Sequence, residues 1–86
     1  MNGKNAICHI DSVSTLVDGE WICKPVIFRE TEKAVCFQDG GQNVWIPRKC
    51  IASQGVSPYG WYIEVPFWIA KEKGLSTRRP DVPMVY

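Results

Sequence analysis

The stretch "EKAVCFQDGGQNVWIP", residues 32–47, decides the fold class of this chain. Two runs that carry β-branched and aromatic residues flank a polar centre, and the pair Asp39-Gly40 is a strong short-range signal for a β-hairpin. Both residues tolerate the positive φ that a tight hairpin turn requires. We therefore predict an antiparallel hairpin over residues 33–47 that turns between Asp39 and Gly41.

Further strands are indicated before this hairpin. Residues 7–10, "ICHI", suit a first strand, and turn residues at positions 18 and 19 precede "EWICKPVIFRE", residues 20–30. Pro25 cannot donate a hydrogen bond to a ladder, so this second segment lies at a sheet edge or carries a bulge. With one residue inserted near the proline, Val26 and Phe28 would face inward.

The chain after the hairpin predicts a turn, a loop, a strand and a helix. "RKCI" follows Pro47 as a tight turn, and "ASQGVSPYG", residues 52–60, is expected to be a loop. Residues 61–65 alternate as a strand. Pro66 suits the start of a short helix through "FWIAKEK", and Gly74 suits its C-terminal cap.

These elements predict one mainly β domain over residues 1–75. About five strands and one short late helix are typical of a small antiparallel barrel, closed or half-closed, of SH3-like or OB-like size. The sequence does not separate these two topologies. Residues 76–86 contain two prolines and no periodicity, which predicts an extended C-terminal tail.

Composition narrows the possible functions. The chain has 86 residues and a formal charge of +1, far from the basic balance of a dedicated duplex-DNA binder. Residues 1–47 carry four Lys/Arg and six Asp/Glu, whereas residues 48–86 carry six and three, so basic side chains favour the C-terminal half. No apolar run has the length of a signal peptide or a membrane span. We expect a cytoplasmic protein with no membrane association.

The four cysteines and His9 are the residues best suited to chemistry, but their spacing argues against it. Structural zinc sites pair ligands two to four residues apart, whereas no two cysteines here lie closer than 13 positions. We therefore expect free, mostly buried thiols and no metal or other cofactor. For nucleophilic catalysis, His9 would need a nearby nucleophile and an orienting carboxylate such as Asp11. No motif indicates that arrangement, so we expect no enzymatic activity.

Aromatic and basic residues form the candidate binding site. Alternation places Trp45 on the strand face of Asn43, opposite the apolar Val44 and Ile46, so its ring is expected to face away from the core. Flat rings stack on unpaired bases while cations meet phosphates. The alternative is that these rings cap a small core with one face wet. The candidate residues are Trp45, Arg48, Lys49, Tyr59, Tyr62, Arg78 and Arg79.

A second set of positions carries a resemblance to a known family. They comprise an alanine-bearing strand, an acidic Gly turn, a Trp-Ile-Pro strand end followed by a basic residue, and a late Pro-x-Trp-x-Ala helix that ends in Gly-Leu. The matching residues are Ala34, Asp39, Gly40, Trp45, Ile46, Pro47, Lys49, Pro66, Trp68, Ala70, Gly74 and Leu75. In these features the chain resembles a family of small phage and mobile-element proteins without an established activity. The family usually has serine where this chain has Cys50.

The sequence therefore supports two functional hypotheses. The first is a non-enzymatic protein that binds single-stranded nucleic acid through the candidate residues. The second is a protein–protein interaction module that inhibits a host enzyme such as a defence nuclease, because Trp, Tyr and Arg are also the usual anchors of protein interfaces. Salt dependence separates the two, since only nucleic-acid binding weakens steeply with salt. The oligomeric state stays open.

Overall fold

The computed structural model describes residues 4–75, which form eight strands, one 3-10 turn and one α-helix. In chain order the elements are β1 (Asn5–His9), β2 (Ser12–Val17), β3 (Glu20–Pro25), β4 (Ile27–Glu30), β5 (Ala34–Asp39), β6 (Gln42–Pro47), the 3-10 turn (Arg48–Cys50), β7 (Ser53–Ser57), β8 (Gly60–Pro66) and α1 (Phe67–Lys73). The mainly β class with one short, late helix is confirmed.

The strands pair into three antiparallel sheets, with orders β1-β8-β7, β2-β3 and β4-β5-β6. Within the described residues none of these sheets closes into a barrel, and the strand count exceeds the expected five because the chain changes sheets three times, after β1, β3 and β6, with bends at the first two of these places. Backbone hydrogen bonds connect the sheets at these bends. Asp11 N–H donates to Gln38 C=O (2.9 Å), Gln38 N–H to Val26 C=O (3.0 Å) and Val26 N–H to Asp11 C=O (2.9 Å).

The predicted hairpin is present as β5 and β6. Its two-residue turn is Gly40-Gly41, with φ of 62° and 83°, while Asp39 is still part of the strand. Positive φ at both turn residues matches the twist of the flanking strands. The carboxylate of Asp11 accepts hydrogen bonds from both glycine N–H groups, each at 2.9 Å. A residue of the β1–β2 bend therefore fixes the hairpin turn.

The core lies between the β1-β8-β7 and β4-β5-β6 sheets and under α1. Alternate residues of the strands point into it, as the period of two requires. Its members are Ala6, Cys8, Ile10, Val35, Phe37, Val44, Ile46, Ile63, Val65, Ile69, Ala70 and Leu75. No residue of β2, β3, β4 or β7 belongs to this set, so the core rests on four of the eight strands.

The helix begins and ends where the sequence predicts. Pro66 is its N-terminal cap, and Gly74 ends it in the left-handed region at φ 73°. The Leu75 N–H donates to Ala70 C=O (2.9 Å) and the Gly74 N–H to Lys71 C=O (3.3 Å), which is the Schellman pattern. Leu75 is buried, so the cap also holds the chain against the core.

Two local predictions were wrong. The expected loop 52–60 contains β7, which pairs along β8. Phe28 does not face inward: the register shifts between Ile27 and Arg29, so Phe28 is the extra residue of a bulge and its side chain is 56% exposed. The Arg29 guanidinium lies 5.9 Å from the centre of its ring. The predicted tail 76–86 lies outside the described residues.

Candidate functional site

The predicted binding residues lie on different parts of the fold. Trp45 is on β6, Arg48 and Lys49 form the 3-10 turn, and Tyr59 and Tyr62 belong to the β7–β8 hairpin of another sheet. Arg78 and Arg79 lie outside the described residues. The set is therefore divided between at least two separate surfaces.

Trp45 faces outward, as the alternation predicts, and 39% of it is exposed. It stands opposite Cys36 in the ladder, and Arg29 stands on the other side of the same cysteine. Cys36 has no exposed surface although it points away from the core. Its two ladder neighbours carry long side chains, which can cover a small thiol between them. Trp45 therefore faces away from the core, and its surface is partly exposed and partly covered within the chain.

The guanidinium of Arg48 is engaged within the chain. Its Nη2 lies 2.7 Å from Glu30 Oε1, and its Nε donates to Thr31 C=O at 3.1 Å. The Arg48 N–H also donates to Lys33 C=O at 2.8 Å. These contacts fasten the 3-10 turn to the β4–β5 connection. An exposed pair of this kind contributes little stability, but it uses two of the guanidinium nitrogens and places a carboxylate beside them, which a phosphate would have to displace.

Lys49 borders an open groove beside this turn. The groove has a volume of about 640 Å³ and is lined by Glu32, Lys33, Ala34, Pro47, Arg48 and Lys49. Its charged groups are exposed and of both signs. The groove therefore has no buried polar group that would select a particular ligand.

Tyr59 and Tyr62 surround His9, a grouping that the sequence did not indicate. His9 stands opposite Tyr62 in the ladder, and their ring centres lie 6.4 Å apart. The Tyr59 ring meets the His9 ring edge-on at 6.0 Å. A Cβ at Gly55 would lie 3.5 Å from the Tyr62 ring, so that ring lies over the glycine. Both tyrosines therefore have ring neighbours within the chain.

The His9 imidazole also contacts a hydroxyl. Its Nε2 lies 2.9 Å from Ser57 Oγ. That hydroxyl donates to Gly60 C=O (3.1 Å) and accepts the Tyr59 N–H (3.1 Å), which is the pattern of a serine that closes its own turn. Because the Ser57 hydroxyl hydrogen points to the Gly60 carbonyl, the Ser57 oxygen is best placed to accept a hydrogen bond from His9 Nε2–H. Asp11, bound to the hairpin glycines, does not orient the imidazole.

Among residues 4–75, the most exposed large apolar side chain belongs to the β2–β3 hairpin, for which the sequence predicted no role. Leu16 and Trp21 are a cross-strand pair on one face, and Trp21 is 71% exposed. Val13, Val17 and Ile22 are exposed on the other face. Two-stranded hairpins in water are marginally stable unless a face packs on something. The exposed apolar side chains of this hairpin are therefore not accounted for by packing within the chain.

The hairpin is anchored at its base. Ser12 Oγ accepts the Trp61 N–H at 3.3 Å, and a Cβ at Gly60 would lie 2.9 Å from the same oxygen. Between the hairpin and the β7–β8 turn lies a groove of about 530 Å³. Its lining residues are Ser14, Trp21, Ile22, Cys23, Val56, Ser57, Pro58 and Gly60. The Trp21 side of the hairpin and this groove form one surface, which we call the hairpin surface.

The four cysteines form no disulfide. Cys8 and Cys36 are buried, and Cys23 and Cys50 are half-buried. Burial, together with the nearby Asp39 carboxylate, raises the pKa of the Cys8 thiol to about 11. A thiol with so high a pKa is a poor nucleophile at neutral pH. Cys8 therefore acts as a small apolar core residue.

Within residues 4–75, no three His, Cys, Asp or Glu side chains are grouped so that they could hold a metal ion. The helix in the same range has neither the length nor the apolarity to cross a membrane. Comparison of the chain with protein-family models, curated proteins and solved structures gives no match.

Proposed function

We propose that this chain is a non-enzymatic binding protein that docks onto another protein through its hairpin surface. The observation that carries the proposal is the 71% exposure of Trp21 on a two-stranded hairpin, beside its cross-strand partner Leu16, which is also exposed. Tryptophan is one of the residues enriched among interface anchors, and contiguous exposed apolar surface marks sites of protein association. A partner that covers this surface would also supply the packing that the hairpin lacks.

Charge supports a protein partner over nucleic acid at this surface. Asp18 and Glu20 lie at the tip of the hairpin and Lys24 lies toward its base. Carboxylates at the tip of the hairpin repel phosphates, whereas a protein interface accommodates charges of either sign at its rim. Elsewhere, the Arg48 guanidinium is paired with Glu30. These features favour the second of the two sequence hypotheses.

From the family resemblance we take the context of this proposal. A phage or mobile-element protein would meet its partner in the cytoplasm of the host cell, and a host enzyme such as a defence nuclease is the partner class we propose. We also propose that the three sheets together correspond to the half-closed barrel expected from the sequence. The backbone hydrogen bonds among Asp11, Val26 and Gln38 support this, since they join the sheets in succession.

A matched pair of variants tests the protein-binding proposal. Trp21→Ser removes the anchor, and Trp68→Ser removes a tryptophan of similar exposure, 61%, from the helix. We expect wild type and Trp68→Ser to capture the same protein from host lysate, and Trp21→Ser to lose it. The captured protein would then be purified and its affinity measured directly. Equal capture by both variants would reject the hairpin surface as the site.

Single-stranded nucleic acid remains a second proposal, centred on Trp45 and Lys49. The wet part of the Trp45 ring and the exposed Arg29 on the same sheet face support it. Binding of labelled oligonucleotides would be followed by fluorescence anisotropy at low and moderate salt. This hypothesis predicts steep salt weakening and a loss of about 1 to 3 kcal/mol of binding free energy in Trp45→Ala. Absence of binding at low salt rejects it.

A further inference from the structure

The outer edge of β3 is open. Strand β3 pairs with β2 on one side, and the sheet that contains β4 begins its pairing only at Ile27. Among residues 4–75, no backbone hydrogen bond joins residues 20–24 to any element other than β2. Exposed strand edges of apolar sequence are templates for pairing with another strand. The edge of β3 therefore has unused hydrogen-bonding capacity.

The turn geometry identifies which backbone groups point outward. Asp18 and Gly19 have φ of 51° and 82°, as a two-residue type I′ turn requires. The flanking pair Val17–Glu20 is then hydrogen-bonded, and pairs alternate along the ladder. The N–H and C=O groups of Trp21 and Cys23 therefore point away from β2. Pro25, which has no N–H, ends this edge.

The side chains of β3 are arranged symmetrically about Ile22. Glu20 and Lys24 lie two positions before and after it, on the same face. If a second β3 pairs antiparallel with the first, centred on Ile22, each Glu20 stands opposite Lys24 of the second copy. In the same register Trp21 and Cys23 of the two copies exchange backbone hydrogen bonds. Backbone pattern and charge pattern thus select one register.

We infer that this chain forms a two-fold symmetric dimer through β3, which makes a four-stranded sheet in the order β2-β3-β3-β2. An isologous interface requires a patch that is complementary to itself, and the edge of β3 meets that requirement. The edge of β2, "SVSTLV", has no charged residue and selects no register. The inference goes beyond the proposed function, since it concerns a strand edge and a second copy of the chain rather than a host protein.

Charge reversal tests the register. In Glu20→Lys, the new lysine of each copy stands opposite Lys24 of the other copy, which makes two like-charge pairs. In Lys24→Glu, the new glutamate of each copy stands opposite Glu20 of the other, which again makes two. Opposed like charges destabilise strand pairs, so we expect each single variant to raise the dimer dissociation constant about tenfold or more. The double variant restores both pairs and should dimerise like wild type. An equimolar mixture of the single variants should form a heterodimer.

Analytical ultracentrifugation over a range of concentrations measures these equilibria, and circular dichroism checks that each variant folds. Wild-type protein that stays monomeric at the highest concentration would overturn the inference. So would single variants that dimerise as well as wild type, or a mixture that gives no heterodimer. The oligomeric state of the purified protein is measured independently of its capture of a host protein. A negative result in one experiment therefore rejects the dimer or the proposed function without rejecting the other.

Cross-linking tests the two-fold centre directly. Opposed residues of a non-hydrogen-bonded antiparallel pair have Cα atoms about 4.5 Å apart, within the range of a disulfide. Ile22→Cys, made in a Cys23→Ser background, should therefore form a disulfide-linked dimer on mild oxidation. Thr15→Cys in the same background is the matched control, because Thr15 lies on the same face but on β2. Equal cross-linking of both variants would contradict the β3 register.

Discussion

Asp11 and Gly41 lie 30 positions apart in the chain, yet Asp11 Oδ2 accepts the Gly41 N–H at 2.9 Å while Oδ1 accepts the Gly40 N–H at the same distance. One carboxylate thus satisfies both donors of the β5–β6 turn. The same residue donates its own N–H to Gln38 C=O and accepts the Val26 N–H. Asp11 is therefore the point at which the three sheets are held together.

We expect Asp11→Ala to lower the free energy of unfolding by about 2 to 3 kcal/mol, because it removes hydrogen bonds to a charged acceptor and leaves two N–H groups without their partner. Asp11→Asn should lose less, since its amide retains one acceptor oxygen. Chemical denaturation measures both. Glu72→Ala, on the exposed side of the helix, serves as control and should change stability little. Equal stability of Asp11→Ala and the control would show that solvent replaces the carboxylate.

The second prediction concerns the base of the β2–β3 hairpin. Gly60 has φ of 116°, and a Cβ there would approach Ser12 Oγ to 2.9 Å. Gly60→Ala should therefore lower the free energy of unfolding by about 1 to 3 kcal/mol, from backbone strain and from displacement of Ser12. The double variant Gly60→Ala, Ser12→Gly relieves the clash but keeps the strain. The double variant should therefore be more stable than Gly60→Ala. If it is not, the contact between the Cβ at position 60 and Ser12 Oγ is not the cause of the destabilisation.

The parts of the fold that were predicted from sequence are those that depend on neighbours in the chain. Two glycines specify the two-residue turn of the β5–β6 hairpin. Pro66 and Gly74, which are eight positions apart, mark the two ends of the helix. The bulge at Phe28 and strand β7 were missed, because they depend on pairing with other strands. Local sequence gives the propensity of a strand but not its partner.

The candidate site was less predictable for the same reason. The alternation around Trp45 predicted its outward direction correctly, but the pairing of Arg48 with Glu30 brings together residues 18 positions apart. The contact of His9 with Ser57 spans 48 positions. The hairpin surface was missed because the sequence of an apolar strand such as "EWIC" has the same pattern whether the strand packs on the core or is exposed to solvent. Only the arrangement of the sheets leaves it uncovered.

The third prediction concerns the covering of Cys36 by Trp45. Trp45→Ala removes one of the two long side chains beside the buried thiol, so we expect Cys36 to become reactive toward a thiol reagent in the native protein. The loss of partly buried ring area should also cost about 1 to 2 kcal/mol of stability. Labelling with mass spectrometry identifies the modified cysteine. Trp68→Ala is the control and should leave Cys36 protected; protection in both variants would mean that Trp45 does not shield the thiol.

The last prediction is a pH dependence set by Cys8. Its thiol pKa rises from an ordinary value of 9.0 to about 11 in the folded protein, because burial and Asp39 disfavour the thiolate. The folded state therefore holds this proton more tightly than the unfolded state, and stability must fall as pH rises from 9 toward 11. A difference of this size corresponds to about 3 kcal/mol.

Cys8→Ala lacks the group, so the stability advantage of wild type over this variant should be constant below pH 9 and shrink above it. Urea denaturation of both proteins at several pH values from 7 to 10.5 measures the difference, in which the other titrating groups cancel. An advantage that stays constant to pH 10.5 would show that the Cys8 thiol titrates alike in the folded and unfolded chain.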